Sequence, residues 1–328
     1  MILRLCCIKV KLFIFGSYFC NTVYSEAELR LLATLRGERA LSDLADDLDR
    51  SLSYVSELVT QMEEKNLLHT VRSGKTRRVR RSQTKAIELF DRFVLRYPHI
   101  PFPELLDGAT LRVLYYLDTP ATATELADST EVHRSTVHRS LSPLQHRGLV
   151  YRTNGKYALN GEFGELATVA REFAHHRHQN RIENHVDAYT ILWESLDEFL
   201  VQTDEGVDAE PFLPTGPERF QEYGLPLLTR QRRYYLYNES KTDLSASELC
   251  CHMIVIDYGA RSQSYCLLLL AATDIDRGEL QSLAERYDVE EIVSDLLTYL
   301  DTEGEVRADS LPGWTEFEKL AREYEVDV

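Results

Sequence analysis

Several common signatures are missing from this chain of 328 residues, and each absence removes a class of protein. The six cysteines, Cys6, Cys7, Cys20, Cys250, Cys251 and Cys266, form no CxxC pair. That argues against a paired-cysteine metal site, and a chain this long needs no disulfide framework, so reduced thiols in a cytoplasmic protein are expected. There is no Gly-rich phosphate loop, nucleophile elbow, His-Glu metal helix or paired-carboxylate motif. The expectation is therefore a non-enzyme that uses no cofactor. No run of roughly 20 uncharged apolar residues occurs, so no membrane span is expected. Basic charge is also short: 37 Lys plus Arg stand against 53 Asp plus Glu, a formal net charge of −16, and only 8 of the basic residues are Lys.

A deficit of positive charge normally argues against a nucleic-acid partner. Its placement matters more than its sum. Residues 201–328 hold 27 acidic and 11 basic residues, a net of −16, which leaves residues 1–200 balanced at 26 of each. The first 200 residues are thus free to be locally basic.

Residues 1–24, MILRLCCIKVKLFIFGSYFCNTVY, have three basic residues, no acidic one and half of the cysteines. Lys9 and Lys11 interrupt the apolar run, and no clean cleavage site follows. The segment reads as an extension from an upstream start codon, or as an extra edge strand given its β-prone composition. Folded structure is expected from about Ser25.

What is present is a repeat at an offset of 82 residues. Without a gap, residues 41–68 fall on residues 123–150, so that Leu44 meets Leu126, Ala45 meets Ala127, Val55 meets Val137, Met62 meets Leu144 and Leu67 meets Leu149. Upstream, Leu29, Leu32 and Leu35 fall on Leu111, Leu114 and Leu117. Three-residue spacing makes these one face of a first helix. A short second helix follows, DLADDL or ELADST, with Ser42 or Thr124 placed to cap it. A third helix, opened by Ser51 or Ser53 and by Ser135, buries Val55, Val59 and Met62, or Val137, Leu141 and Leu144. Each copy then carries a hairpin signal, LLHTVRSGKTRRVRRS with its Ser73–Gly74 turn and GLVYRTNGKYALN with its Asn154–Gly155 turn. Three helices followed by a β-ribbon is the winged helix-turn-helix plan, whose third helix enters a major groove.

The segment STVHRSLSPLQHRGLVYR resembles the recognition helix and wing of MarR- and ArsR-like transcription regulators. The resemblance covers about 135 residues, from Ser25 to Asn160. It implies binding of double-stranded DNA and transcriptional control. The acid excess with scarce Lys also resembles the proteins of salt-loving archaea. Pro143 departs from the pattern, and its missing N–H and ring should kink or shorten the helix that contains it.

Phosphate contacts supply affinity and base-edge contacts supply sequence choice. The first wing has seven basic residues and no acid between Val71 and Ala86, among them Arg72, Lys75, Arg77, Arg78, Arg80 and Arg81. It is expected to lie along the phosphate backbone or in a minor groove. In the second copy, Arg134, Thr136, His138 and Arg139 lie off the buried face and are the candidates for base reading, with Arg152 and Lys156 on the wing. The same offsets in the first copy give Leu52, Tyr54, Ser56 and Glu57, which suit a polyanion less well. The second helix is therefore expected to read sequence while the first wing anchors.

Beyond the repeat, His175, His176, His178 and His185 fall on a long helix, where exposed histidines are expected rather than a metal site. Ile182, Val186, Tyr189, Trp193, Leu196 and Leu200 recur at spacings of 4 and 3, a seam suited to a homodimer or to docking on the next domain. The runs ELCCHMIVIDY and SYCLLLLAA read as strands of a hairpin around GARSQ that buries Cys250, Cys251 and Cys266. Arg230, Arg232, Arg233, Tyr234, Tyr235 and Tyr237 read as the solvent face of a strand, and RGELQSLAERY and EEIVSDLLTYLDT as closing helices.

The fold class is then α+β and mainly helical. The expected organisation is an extension at 1–24, winged units at 25–82 and 108–160 joined by a connecting helix at 83–107, a long linker helix at 161–202, and an acidic α/β domain at 203–328 that binds an effector or a partner protein or serves oligomerisation. The alternative is an antitoxin-like autorepressor whose C-terminal domain binds a partner protein. The segment FLPTGPERFQEYGLPLL faintly resembles such proteins.

Overall fold

The computed structural model describes residues 24–73, 76–227 and 232–328. Of the residues singled out above, Cys6, Cys7, Cys20, Gly74, Lys75 and Arg230 lie outside the described residues, as does the segment 1–23.

Two stretches have the same order of elements. The first runs α1 (Glu26–Thr34), β1 (Arg39–Ala40), α2 (Leu41–Asp47), α3 (Leu52–Glu64), β2 (Leu68–Ser73) and β3 (Thr76–Arg81), with antiparallel sheet order β1-β3-β2. After α4 (Lys85–Arg96) and α5 (Phe102–Leu105), the second runs α6 (Ala109–Tyr115), β4 (Ala121–Thr122), α7 (Ala123–Thr130), α8 (Arg134–His146), β5 (Val150–Thr153) and β6 (Lys156–Leu159). Its sheet order is β4-β6-β5, again antiparallel. Leu29, Leu32 and Leu35 and their counterparts Leu111, Leu114 and Leu117 are all buried, as are Val55, Val59 and Met62 and Val137, Leu141 and Leu144. The matched apolar positions therefore build equivalent cores, which merge into one cluster with residues of α4, α5 and the following helix α9 (Glu165–Glu183).

Local chemistry sets the ends of these helices. Ser25 and Glu28 form a reciprocal capping box on α1, and Ser51 caps α3 by accepting from the Tyr54 N–H at 3.2 Å. Thr122, not Thr124, caps α7, with Glu125 closing the box, and Ala40 rather than Ser42 precedes α2 with no side-chain cap. On α8 the cap is His133, one residue before the helix, whose ring accepts from the Ser135 N–H at 3.2 Å. The Asn154–Gly155 turn has φ of 50° and 82°, the left-handed pair that a two-residue hairpin turn requires.

Five expectations need correction. Pro143 neither ends nor shortens α8, which continues to His146. It is exposed and near the helix end, so its ring meets solvent rather than a packed neighbour. Tyr24, assigned to the extension, is buried, and its hydroxyl donates to the Phe173 carbonyl at 3.2 Å. The seam over 182–200 is not one helix. Helix α9 stops at Glu183, and Tyr189–Glu194 and Phe199–Thr203 are strands β7 and β8. The aromatic and β-branched run YTILWE prefers a pleated strand, and a bulge between Ile191 and Trp193 splits the seam, so that Trp193 packs in the core with Leu200 while Tyr189 and Ile191 pack in the core with Ile182 and Val186. These strands join β9 (Phe212–Thr215) and β10 (Arg233–Tyr237) in an antiparallel sheet of order β7-β8-β10-β9, so the C-terminal sheet begins before residue 203.

The fourth correction concerns the cysteines. The two runs read as a hairpin are helices α10 (Ala246–Ile256) and α11 (Ala260–Ala272), packed on the sheet domain's core with α12 (Arg277–Arg286), α13 (Glu290–Asp301) and α14 (Trp314–Glu323). Short apolar runs do not distinguish a buried strand from a buried helix. The Ser245–Glu248 capping box that starts α10 was the available signal. Cys250, Cys251 and Cys266 are buried free thiols, and the Cys266 Sγ contacts the Cys250 carbonyl at 3.5 Å. The RYYLY strand is not a solvent face either: Arg232 and Arg233 are exposed, but Tyr235 and Tyr237 are buried. Among the described residues no helix is long and apolar enough to cross a membrane.

The packing of α8 makes opposite predictions for two neighbours. Leu141→Ala removes a fully buried side chain and is expected to cost about 2–5 kcal/mol. Pro143→Ala restores a helical N–H at an exposed position and is expected to raise stability, by up to about 3 kcal/mol. Urea denaturation of the two variants measures both.

Candidate nucleic-acid interface

Burying Val137, Leu141 and Leu144 turns the other face of α8 outward. Arg134 and Arg139 are exposed there, and neither has an acidic partner among the described residues. Arg139 makes only a long 3.4 Å contact to the Thr136 hydroxyl, and Thr136 is half-buried. His138 is half-buried too. Its Nδ1 lies 2.6 Å from the hydroxyl of Tyr157, a buried residue of β6, so this ring ties helix to ribbon rather than pointing freely outward. On the ribbon, the Arg152 guanidinium lies over the Tyr157 ring at 5.1 Å, and Lys156 is exposed. The structure thus brings Arg134, Arg139, Arg152 and Lys156 to one unit as cations not neutralised by ion pairs among the described residues.

The first ribbon differs. Three of its arginines are held by acids of the same repeat or of α4. Arg77 Nη2 is 2.6 Å from Glu63, Arg78 Nε is 2.6 Å from Glu38, and Arg81 binds Asp91 through both terminal nitrogens at 2.8 and 3.3 Å. Burial alone would raise the Glu63 carboxyl, but hydrogen bonds from Thr70 and Arg77 outweigh it and hold the group below its ordinary value. Arg72 and Arg80 are exposed and have no ion-pair partner among the described residues. Among the described residues, none of the acids that engage this ribbon comes from the acidic C-terminal part. Sequence reasoning missed Glu38, Glu63 and Asp91, and no local pattern announces them, since each meets its arginine only through the tertiary fold. On α3 the outward positions hold Leu52 and Tyr54, 54% and 43% exposed, beside exposed Glu57.

The histidines of α9 are not the exposed set that was expected. His176 and His178 are buried, and the His176 Nε2 lies 2.9 Å from the Lys65 carbonyl. Glu194, reached from β7, lies 3.0 Å from the Nδ1 of both His175 and His178. The spacing in the sequence puts Glu194 on the same helix as these residues and so does not announce the contact. Burial would raise the Glu194 carboxyl, but the hydrogen bonds from His175 and His178, and their charge, outweigh it and hold the group at about 2. The hydrogen bond to Glu194 raises His175, whereas burial lowers His178. Among the described residues no group of three or more His, Cys, Asp or Glu side chains is placed to hold a metal ion.

Two protein families match parts of the chain. The family described as HVO_A0261 N-terminal domain matches residues 109–185, which begin with α6 and run just past α9. The C-terminal family HVO_2833_C matches residues 209–326, from just before β9 to beyond α14. No curated protein matches the chain.

The α9–β7 contact has a pH signature. A lowered carboxyl contributes stability that is present above its ordinary value and lost as pH falls toward about 2. A raised histidine contributes stability that is complete below about pH 6.5 and lost as pH rises through its folded value. The stability lost on Glu194→Gln is therefore expected to be larger at about pH 5.5 than at about pH 8.5, because the contribution of the raised His175 declines as pH rises. Denaturation of both proteins at the two pH values measures it; an equal loss would contradict the assignment.

Proposed function

We propose that this chain is a sequence-specific DNA-binding transcription regulator. In this reading it acts in the cytoplasm without catalysis and is built on two tandem winged helix-turn-helix units resembling MarR- and ArsR-like regulators. The observation that carries the reading is the outward face of α8: Arg134 and Arg139 stand exposed and unneutralised by ion pairs among the described residues of a chain with net charge −16. The order helix, strand, helix, helix, ribbon in both repeats supports it, because that order delivers the third helix to a major groove with the ribbon beside it. In this reading α8 reads bases through Arg134 and Arg139, with Thr136 beside them. His138 sets the ribbon through Tyr157, and Arg152 and Lys156 hold phosphates.

The first ribbon plays a smaller part than its composition alone suggests. Arg72 and Arg80 are ready for phosphate, whereas Arg77, Arg78 and Arg81 must first leave Glu63, Glu38 and Asp91. Partly exposed pairs of this kind are worth about 0–1 kcal/mol each, so a phosphate can replace the acid, but at reduced gain. The exposed Leu52 and Tyr54 on α3 favour a protein contact for the first unit. The homodimer expectation loses its support from the seam, which is divided between α9 and β7–β8.

Salt-dependent duplex binding tests the division of labour. Arg152→Ala with Lys156→Ala is expected to weaken all duplexes alike and to lower the slope of log affinity against log salt by about 2. Arg134→Ala with Arg139→Ala is expected to reduce discrimination between preferred and random duplexes by about tenfold or more. Identical behaviour of the two double variants, or a wild-type chain that binds no duplex, overturns the reading.

A further inference from the structure

A polar cleft of about 520 Å³ opens where the second repeat meets the C-terminal sheet. It is bounded by the α7–α8 corner, the β7–β8 turn, α9, the end of β10 and α12. Its lining has three guanidinium groups and four carboxylates, and most of them already engage one another. Asp197 accepts from Arg112 Nη1 at 2.9 Å and Nη2 at 2.5 Å. Arg181 Nη2 donates to Glu239 at 2.6 Å, and Arg286 pairs with the buried Glu198.

The groups left over are of both signs. Arg181 Nη1 is buried without a hydrogen-bond partner, and Arg286, with its side chain 45% exposed, has Glu198 as its ion-pair partner among the described residues. Glu131, exposed at the left-handed end of α7, has no ion-pair partner among the described residues. An inorganic anion would satisfy the arginines and leave Glu131 alone in a lining where carboxylates outnumber guanidiniums. A simple cation would leave Arg181 Nη1 buried and unsatisfied, which is costly. A small molecule bearing one carboxylate and one ammonium group meets both demands.

We propose that this cleft binds a free α-amino acid as an effector, its carboxylate on Arg181 and Arg286 and its ammonium group on Glu131. This rests on the regulator reading for its consequence, though not for the binding itself. The consequence follows from Arg112, which is 9% exposed and joins the two halves. While it holds Asp197 on the β7–β8 turn, its Nη2 also donates to the carbonyl of Thr130, the last residue of α7, at 3.0 Å. Helix α8 begins at Arg134, so a ligand drawing on Glu131 acts on the corner that sets the reading helix.

The test is thermal melting of the full chain with each of the twenty common L-amino acids, followed by calorimetry on any that respond. At least one is expected to raise Tm by about 5 °C when present at about 100 times its Kd. Glu131→Gln, which breaks no ion pair, and Arg286→Lys, which keeps a cation beside Glu198, are each expected to weaken that binding by about tenfold or more. The proposal is overturned if none of the twenty shifts Tm, or if the response survives Glu131→Gln unchanged. Duplex binding is measured separately on the same preparation. A chain that binds an amino acid but no DNA upholds the cleft and removes the regulator reading alone.

Discussion

The burial of one face of α8 is the constraint on which the rest depends. Val137, Leu141 and Leu144 are fully buried at spacings of four and three, and burying each such side chain contributes about 1.5–3 kcal/mol. A helix of 13 residues held that way has no freedom to rotate, so Arg134 and Arg139 stay in water together. Pro143 is tolerated because it too is on the wet side. The same constraint in the first repeat, through Val55, Val59 and Met62, turns out Leu52 and Tyr54 instead. Two copies of one scaffold thus present surfaces of different chemistry.

Charge placement works on top of that scaffold. The acid excess lies in residues 201–328, yet the acids that meet the first ribbon are Glu38, Glu63 and Asp91, from the first repeat and α4. Local pairing, not the distant acidic part, tempers this ribbon. The second repeat is tied to the C-terminal sheet where Arg112 is held by Asp197 of the β7–β8 turn and by the Thr130 carbonyl. Glu194 makes a second link by joining β7 to His175 and His178.

Much of the first 160 residues was legible because their order is local. Leucines at three-residue spacing, an Asn-Gly turn and an 82-residue offset each report on neighbours in sequence. Where tertiary contacts decide, the reading failed. The 4-3-4 spacing from Ile182 to Leu200 described a helix, while a bulged strand pair took Tyr189, Trp193 and Leu200. The CCHMIVI and CLLLL runs are apolar on all sides, so no period marked them as helices. His175 and His178 were seen without Glu194, because a strand was needed to bring it to them. The candidate site follows the same rule: exposure of Arg134 and Arg139 came from periodicity, but the engagement of Arg77, Arg78 and Arg81, and of His138 by Tyr157, came only from the fold.

The central claim is that the outward face of α8 recognises a base sequence. Selection of bound duplexes from a random pool by the full chain, at high salt, tests it most directly. The account predicts convergence on one motif with guanines at fixed positions, the partners that arginines read in a major groove. Recovery of a pool indistinguishable from the input would contradict it.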